Sequence, residues 1–136
     1  MAGNLKLEIV TPEAMAFDGD VDFVQFTAVE GEMGVFAGHM PVMTQLAAGE
    51  ILVRRGAETI LLAVGDGFAQ VTGERVAILT DMAVKADNID ETRAEEALRR
   101  AQARLTEKLS DEEAATVRAS IVHASTLLKV KRATRK

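Results

Sequence analysis

Hydrophobic and polar residues alternate or run in short blocks from Leu5 to Val84. Glycine, proline or aspartate interrupts the pattern about every 8–12 residues, which is typical of an antiparallel sandwich or barrel. The blocks cover residues 5–9, 21–29, 51–54, 59–64 and 76–80. The uninterrupted apolar run 60–64 also fits a helix fragment, but its shortness and flanking glycines favour a buried strand. The pattern therefore predicts an all-β half.

From Asp87 the period of the apolar residues becomes helical. Asp90 is a plausible N-cap, and Ser110 with Glu113 forms a capping box that opens a second helix. The apolar faces comprise Ala94, Ala97, Leu98, Ala101, Leu105 and Leu109 on the first helix and Ala114, Val117, Ile121, Ala124 and Leu128 on the second. The short linker permits only an antiparallel hairpin. We predict an α+β chain with an N-terminal antiparallel β-sandwich, residues 1–86, and a C-terminal antiparallel two-helix hairpin, residues 87–136.

The seam of the predicted hairpin is rich in alanine. Alanine buries little area, so the apolar gain of about 25 cal/mol per Å² is small against an ordering entropy of about 1.5 kcal/mol per residue. We expect a marginally held hairpin that can rest on the sandwich, open, or be captured by a partner.

Residues 30–46, EGEMGVFAGHMPVMTQL, combine turn-forming and apolar residues. The glycines and Pro41 predict a short, rigid, non-repetitive loop that turns Met40 and Met43 outward and docks against another surface. The spacing fits equally well two hairpin turns around a buried core strand that contains Val35 and Phe36.

Composition excludes several classes of function. The 136 residues include no cysteine, which rules out disulfides, a thiolate nucleophile and a cysteine zinc site. No apolar run approaches the roughly 20 residues that span a bilayer, and no signal peptide is apparent, so we expect a soluble cytoplasmic chain. The two histidines, His39 and His123, lack partners at metal-ligand spacing, and the three serines lack a nucleophile context. We expect no catalytic residue and no metal.

Charge divides the chain into two different surfaces. Residues 1–86 carry 12 acidic and 5 basic side chains, and residues 87–136 carry 9 acidic and 11 basic ones. The acidic β half and the absence of Trp and Tyr argue against nucleic acid as a partner. The basic C-terminus suits an acidic partner surface, a phosphate-rich ligand or plain solvation.

One glycine-rich motif is more specific than these patterns. It is formed by Gly31, Glu32, Gly34, Gly38, His39 and Pro41. This motif resembles the epsilon subunit of the bacterial F-type ATP synthase, the counterpart of the mitochondrial delta subunit. The resemblance extends to Thr11 and Pro12, and to residues 64–68, 78–83 and 89–94, so it covers the chain from end to end.

The resemblance implies a non-catalytic rotor subunit that couples c-ring rotation to the gamma shaft. It implies a ten-stranded sandwich that binds the gamma subunit and rests on the c-ring loops, peripheral to the cytoplasmic face of the plasma membrane. The helical hairpin of that family can extend toward the alpha/beta catalytic head and block ATP hydrolysis. The docking residues implied for the c-ring and gamma are Gly31, Glu32, Gly34, Gly38, His39, Pro41 and Met43.

The resemblance also implies two regulatory contacts. Ile89, Asp90, Arg93 and Ala94 match a signature with which some family members hold ATP, and Arg100 matches a further basic position. Because His123 and Leu127 stand where tight binders have arginines, we expect weak ATP binding and no other cofactor. Asp90 as an N-cap and Arg93 as a first-turn residue also need no ligand. A basic set would meet an acidic segment of the beta subunit, namely Arg118, Lys129, Lys131, Arg132 and Arg135.

A second function fits the residue pattern alone. The chain could be a free-standing β-sandwich module that binds a ligand under a helical lid. Val21 and Phe23 have the opposite parity to Val24 and Phe26, so one predicted strand has two apolar faces. Burial of both faces suits a subunit better than a monomer.

Overall fold

The computed structural model describes residues 3–134 and contains ten strands followed by helices. The strands are β1 (Leu5–Val10), β2 (Met15–Val21), β3 (Phe23–Ala28), β4 (Gly31–Phe36), β5 (His39–Leu46), β6 (Gly49–Arg55), β7 (Glu58–Val64), β8 (Gly67–Gly73), β9 (Arg75–Thr80) and β10 (Ala83–Lys85). A single 3-10 turn, Ala86–Asn88, leads into α1 (Glu91–Arg104) and α2 (Asp111–Ala133). The predicted order of a β-sandwich followed by two helices is confirmed.

The strands pair along the path β10-β7-β6-β3-β5-β8-β9-β1-β2, with β4 added to β3. Every pair is antiparallel except β1 and β9, which run parallel. A single pair, Ala28 with Leu46, joins β3 to β5 and links the two halves of the path. Apolar residues of both halves form one core, in which the largest fully buried side chains are Phe26, Leu5, Leu7, Ile9, Leu46, Ile51, Leu62 and Ile78.

The apolar run in β7 is a strand, as expected from its length. Leu62 and Val64 point into the sandwich core. Leu61 and Ala63 pack on the opposite face in a second cluster with Leu127 and Val130 of α2. The helical hairpin therefore covers the β6–β7 side of the sandwich, and this coverage explains why both faces of β7 are apolar.

The block 21–29 is not one strand. The chain bends at Asp22, whose carboxylate accepts hydrogen bonds from the backbone N–H groups of Gly3 and Gly56, each 2.7 Å long. These two bonds, with that of Gly56 foremost, hold the pKa of Asp22 below its ordinary value. Val21 thus ends β2 inside the core, whereas Phe23 begins β3 on the outer face.

Residues 30–46 are not the non-repetitive loop that their glycines suggested. They form two strands on either side of a tight turn at Ala37 and Gly38, namely β4, which pairs with β3, and β5, which pairs with β8. The alternative with a core strand describes this segment better, since Val35 is fully buried. Phe36, however, is exposed and not part of the core.

The hairpin helices begin where their capping residues predicted. The Asp90 side chain accepts a hydrogen bond from the Arg93 N–H, and Ser110 and Glu113 exchange both bonds of a capping box. Arg104 lies 3.7 Å from Glu113 at the turn end of the hairpin. At the other end, Arg132 Nε donates to Glu91 across 3.1 Å, and Arg132 Nη2 lies 3.8 Å from Glu95.

Candidate docking surfaces and nucleotide cleft

Two glycines of the predicted docking motif hold backbone conformations that other residues resist. Gly31 has a φ of 134° at the start of β4, and Gly38 has a φ of 88° at the turn before β5. The Gly38 N–H donates to the Gly73 carbonyl of the neighbouring β8–β9 turn. The two glycines therefore fix the start of β4 and the turn between β4 and β5.

Gly34 serves a different purpose within β4. A Cβ at this position would lie 2.9 Å from the ring of Phe23, which rests on the Gly34 backbone. The Phe23 ring also lies 4.6 Å, centroid to centroid, from Phe36, and Arg54 sits over its other side. Gly34 thus permits an aromatic pair on the outer surface of β3 and β4.

The polar residues of the motif make local contacts. Glu32 is exposed and accepts a hydrogen bond from the Gln25 side chain across 3.2 Å. His39 Nδ1 lies 2.7 Å from the Met40 carbonyl, and since a carbonyl only accepts, Nδ1 carries the proton. His39 therefore braces the start of β5.

Apolar residues at the end of β4 and along β5 project into solvent. Met40 is 74% exposed, Met43 67% and Phe36 63%, and Pro41 is exposed as well. We call Phe36, Met40, Pro41 and Met43 the β4–β5 patch. Large apolar side chains at this exposure, close together along one segment of the chain, are typical of a surface that a partner covers.

A second apolar surface was missed from the sequence. Phe68 of β8 pairs with Leu79 of β9, Leu79 with Val10 of β1, and Val10 with Met15 of β2. We call these four residues the outer row. Phe68, Leu79 and Met15 are each more than half exposed, and Val10 is half-buried. The row crosses four neighbouring strands that the helical hairpin does not cover.

The outer row continues toward the β4–β5 patch. Gln45 of β5 pairs with Phe68, and Met43 pairs with Gln70, so Met43 and Phe68 are diagonal neighbours on the same face. Diagonal neighbours in a sheet lie about 7–8 Å apart. Only the strand register could reveal this continuity, because the residues come from five separate segments of the sequence.

The five candidate nucleotide residues come together in one cleft between the sandwich and the helices. Ile89, Asp90, Arg93, Ala94 and Arg100 line a cavity of about 360 Å³ with Glu96, Ala97, Val84, Asn88 and Leu127. Arg93 and Arg100 are exposed, Ile89 and Ala94 are buried, and the Asp90 carboxylate serves as the helix cap. His123 does not line this cleft; its imidazole lies against Asp81 instead.

Two family models match nearly the whole chain. The model described as "ATP synthase, Delta/Epsilon chain, beta-sandwich domain" matches residues 4–86, and that described as "ATP synthase, Delta/Epsilon chain, long alpha-helix domain" matches residues 87–132. An ATP synthase epsilon chain of Dehalococcoides mccartyi is 42% identical over 134 residues, which cover 98% of this chain and 96% of that relative. The chain belongs to the ATP synthase delta/epsilon family.

Further relatives agree with this membership. The ATP synthase epsilon chain of Bacillus subtilis is 36% identical over 108 residues, covering 79% of this chain and 82% of that relative. A chain in the cryo-EM structure of the Euglena gracilis mitochondrial ATP synthase, titled OSCP/F1/c-ring, matches with a TM-score of 0.75 and 26% identity over 92% of this chain and 79% of that chain. A Tetrahymena thermophila central stalk/c-ring structure shares the fold, with a TM-score of 0.64 and 13% identity over 94% of this chain and 96% of that chain.

As an epsilon-family chain, this protein is a non-catalytic subunit of the F-type ATP synthase central stalk. The family decides between the two functions that the sequence allowed, in favour of the rotor subunit over a free-standing ligand-binding module. The protein is part of a membrane-bound enzyme. Within residues 3–134, no helix is both long and apolar enough to cross a bilayer.

The basic residues near the C-terminus of the epsilon-family chain fall into two groups. Lys131 Nζ donates to the Ala86 carbonyl across 3.2 Å, and Arg132 is paired with Glu91 and Glu95 of α1. Arg118 and Lys129 are exposed and form no hydrogen bond or ion pair with any residue in the described part of the chain. Arg135 lies outside the described residues.

Proposed function

We propose that this subunit couples c-ring rotation to the gamma shaft through its sandwich and regulates ATP hydrolysis through its helical hairpin. The exposed apolar surface formed by the β4–β5 patch and the outer row carries this proposal. An isolated sandwich gains nothing from exposing six large apolar side chains, whereas a rotor subunit needs surfaces that bind its neighbours. Membership of the ATP synthase family supplies those neighbours.

The β4–β5 patch would rest on the polar loops of the c-ring. Its exposed methionines adapt their shape to a partner surface, and Glu32 with His39 places polar groups beside them. The glycines at 31, 34 and 38 hold β4 and the turn into β5 in a fixed shape, so a contact made here transmits torque to the sandwich. The outer row, on the adjoining strands, would face the gamma shaft.

Cysteines placed at Glu32 or Met43 are expected to crosslink to the c-ring in the assembled enzyme. The natural chain has no cysteine, so each variant carries a single reactive thiol. Glu107→Cys, in the exposed turn between the helices, is the matched control and should not reach the ring. Mass spectrometry identifies the crosslinked subunit. Absence of a c-ring crosslink from both Glu32→Cys and Met43→Cys in a coupled enzyme would refute this assignment.

The helical hairpin would regulate hydrolysis by leaving the sandwich and meeting the beta subunit. When the hairpin is docked on the sandwich, Lys131 is bound to the Ala86 carbonyl and Arg132 to α1. Arg118 and Lys129 already face solvent in that state. An acidic segment of the beta subunit would therefore first attract the two free cations and then compete with Glu91 and Glu95 for Arg132. Such contacts weaken as salt screens them. The assembled enzyme would place this subunit peripherally, on the cytoplasmic face of the plasma membrane.

The cleft beside α1 would hold ATP weakly. Arg93 and Arg100 offer two guanidinium groups to phosphates, but Glu96 and Leu127 occupy the same cleft. A missing charged contact costs about 1.5–3 kcal/mol, and each 1.4 kcal/mol is tenfold in affinity, so two missing arginines weaken binding about a hundredfold or more.

Calorimetric titration of the isolated chain with ATP is expected to show binding weaker than micromolar. Arg100→Gln should weaken that binding further, because Arg100 is exposed and makes no contact within residues 3–134 that stabilises the fold. Arg99→Gln, the exposed neighbour outside the cleft, is the matched control. A micromolar or tighter dissociation constant would show that the cleft does not need cations from α2.

A further inference from the structure

One ion pair joins the middle of α2 to a corner of the sandwich. His123 Nε2 lies 3.1 Å from Asp81 Oδ2, in the bend between β9 and β10. His123 shares the sandwich-facing side of α2 with Leu127 and Val130, which pack on the apolar cluster over β7. Among residues 3–134, this is the only side-chain ion pair between α2 and the sandwich.

The sandwich leaves room for this pair at Gly65. A Cβ on Gly65 would lie 1.9 Å from Asp81 Oδ1 and 3.2 Å from His123 Nε2. Gly65 is itself buried, and its N–H donates to the Met82 carbonyl, so its backbone cannot move aside freely. The Asp81 carboxylate therefore occupies a space that only glycine provides, and this space directs it toward α2.

The charges around His123 are few. α2 carries no charged side chain between Arg118 and Lys129, so its own helix adds no charged neighbour within one turn of His123. The sandwich corner contributes Asp81 and, beside it, Asp66, whose carbonyl accepts the Asp81 N–H. Asp90, at the start of α1, and Arg93, Glu96 and Arg100 of α1 line the adjacent cleft around Leu127. The one charged group in hydrogen-bonding contact with the imidazole is a carboxylate.

We propose that His123 and Asp81 form a pH-sensitive latch that holds the helical hairpin on the sandwich. A neutral imidazole with its proton on Nε2 gives Asp81 an ordinary hydrogen bond, whereas an imidazolium gives it a charge-assisted one. Histidine is the side chain whose charge responds most readily to pH changes within the physiological range. Acidification strengthens the docked state, and alkalinisation loosens it. What the latch would regulate, release of an inhibitory hairpin, rests on the function proposed above.

Amide hydrogen exchange of the full isolated chain tests the latch directly, because exchange reports even rare opening of a helix. Protection of residues 121–130, corrected for the intrinsic pH dependence of exchange, should be about two- to fivefold higher at pH 5.5 than at pH 8.0, the range expected of a partly exposed ion pair. Core amides such as that of Val71 serve as the internal reference for global stability.

Conservative variants separate the latch from a general effect of pH. Asp81→Asn and His123→Gln retain hydrogen-bonding groups but lose the charge pair, and each should abolish the pH dependence in α2. His39→Gln, at the other histidine of the chain, should leave it intact. Equal pH dependence in Asp81→Asn and the unmodified chain, or an equal change at Val71 and in α2, would overturn the proposal. Because the measurement needs no other subunit, its outcome is independent of whether the hairpin inhibits hydrolysis in the assembled enzyme.

Discussion

Replacing both Phe68 and Leu79 with serine is expected to prevent stable incorporation of this subunit into the ATP synthase. The two side chains are paired across β8 and β9 at the centre of the outer row, and each is more than half exposed in the free chain. Full burial of an apolar side chain of this size contributes about 1.5–3 kcal/mol, and a partner can bury the exposed half of each, so losing both should weaken binding about tenfold or more. The isolated chain should keep its free energy of unfolding, since exposed substitutions change it by about 0.5 kcal/mol or less.

A matched pair of exposed apolar residues provides the control for this experiment. Leu105 and Val122 lie on the helical hairpin and are 43% and 44% exposed. Serine at both positions should leave assembly unchanged, because neither residue belongs to a docking surface of the sandwich. The readout is the amount of each variant that remains with the gamma subunit after purification of the complex. Normal retention of the Phe68/Leu79 variant would remove the outer row from the proposed interface.

Truncation after Ala119 is expected to raise ATP hydrolysis by the assembled enzyme about fivefold or more, within the range typical of regulatory coupling. The truncation removes the second half of α2 with Lys129, Lys131 and Arg132, the cations proposed to meet the beta subunit. Assembly should persist, because both docking surfaces lie within the sandwich. The assay is steady-state ATPase activity of the purified complex, with subunit content measured in parallel.

Point variants guard against an indirect effect of the truncation, which also uncovers Leu61 and Ala63 beneath α2. Lys129→Gln and Arg118→Gln alter exposed side chains without internal partners, so they should relieve part of the inhibition and do so most at low salt. Arg132→Gln also breaks the contact with Glu91 and should favour opening of the hairpin. Unchanged hydrolysis in the truncated enzyme would mean that the basic tail is merely solvated, or that inhibition lies elsewhere.

Local patterns in the sequence predicted most of the secondary structure. The alternation in β1, the short apolar run in β7 and the caps at Asp90 and Ser110 each depend on neighbours within a few residues, and each is found in the fold. The prediction of a loop at residues 30–46 failed for a physical reason. Their glycines indicated a loop, but Gly31 and Gly38 mark the ends of strands, and the pairing of β4 with β3 and of β5 with β8 overrides local propensity.

Features that depend on long-range register could not be predicted. The parallel pairing of β1 with β9 joins segments about 70 residues apart. The same register creates the outer row from single residues on four strands, none of which is unusual in its own segment. The contacts of Arg132 with α1 likewise arise only when the two helices pair, and the contact of His123 with Asp81 only when the hairpin closes on the sandwich. The candidate nucleotide residues were accessible to sequence reasoning because they lie almost consecutively at the start of α1.

The central claim, that this chain is a central-stalk subunit bound to its neighbours through the sandwich, is tested most directly by purifying the tagged protein from its native membranes in mild detergent. The account predicts that alpha, beta, gamma and c subunits elute with it in constant proportion, together with the ATPase activity. Elution of the chain alone, with the ATPase activity remaining in the untagged fractions, would contradict it.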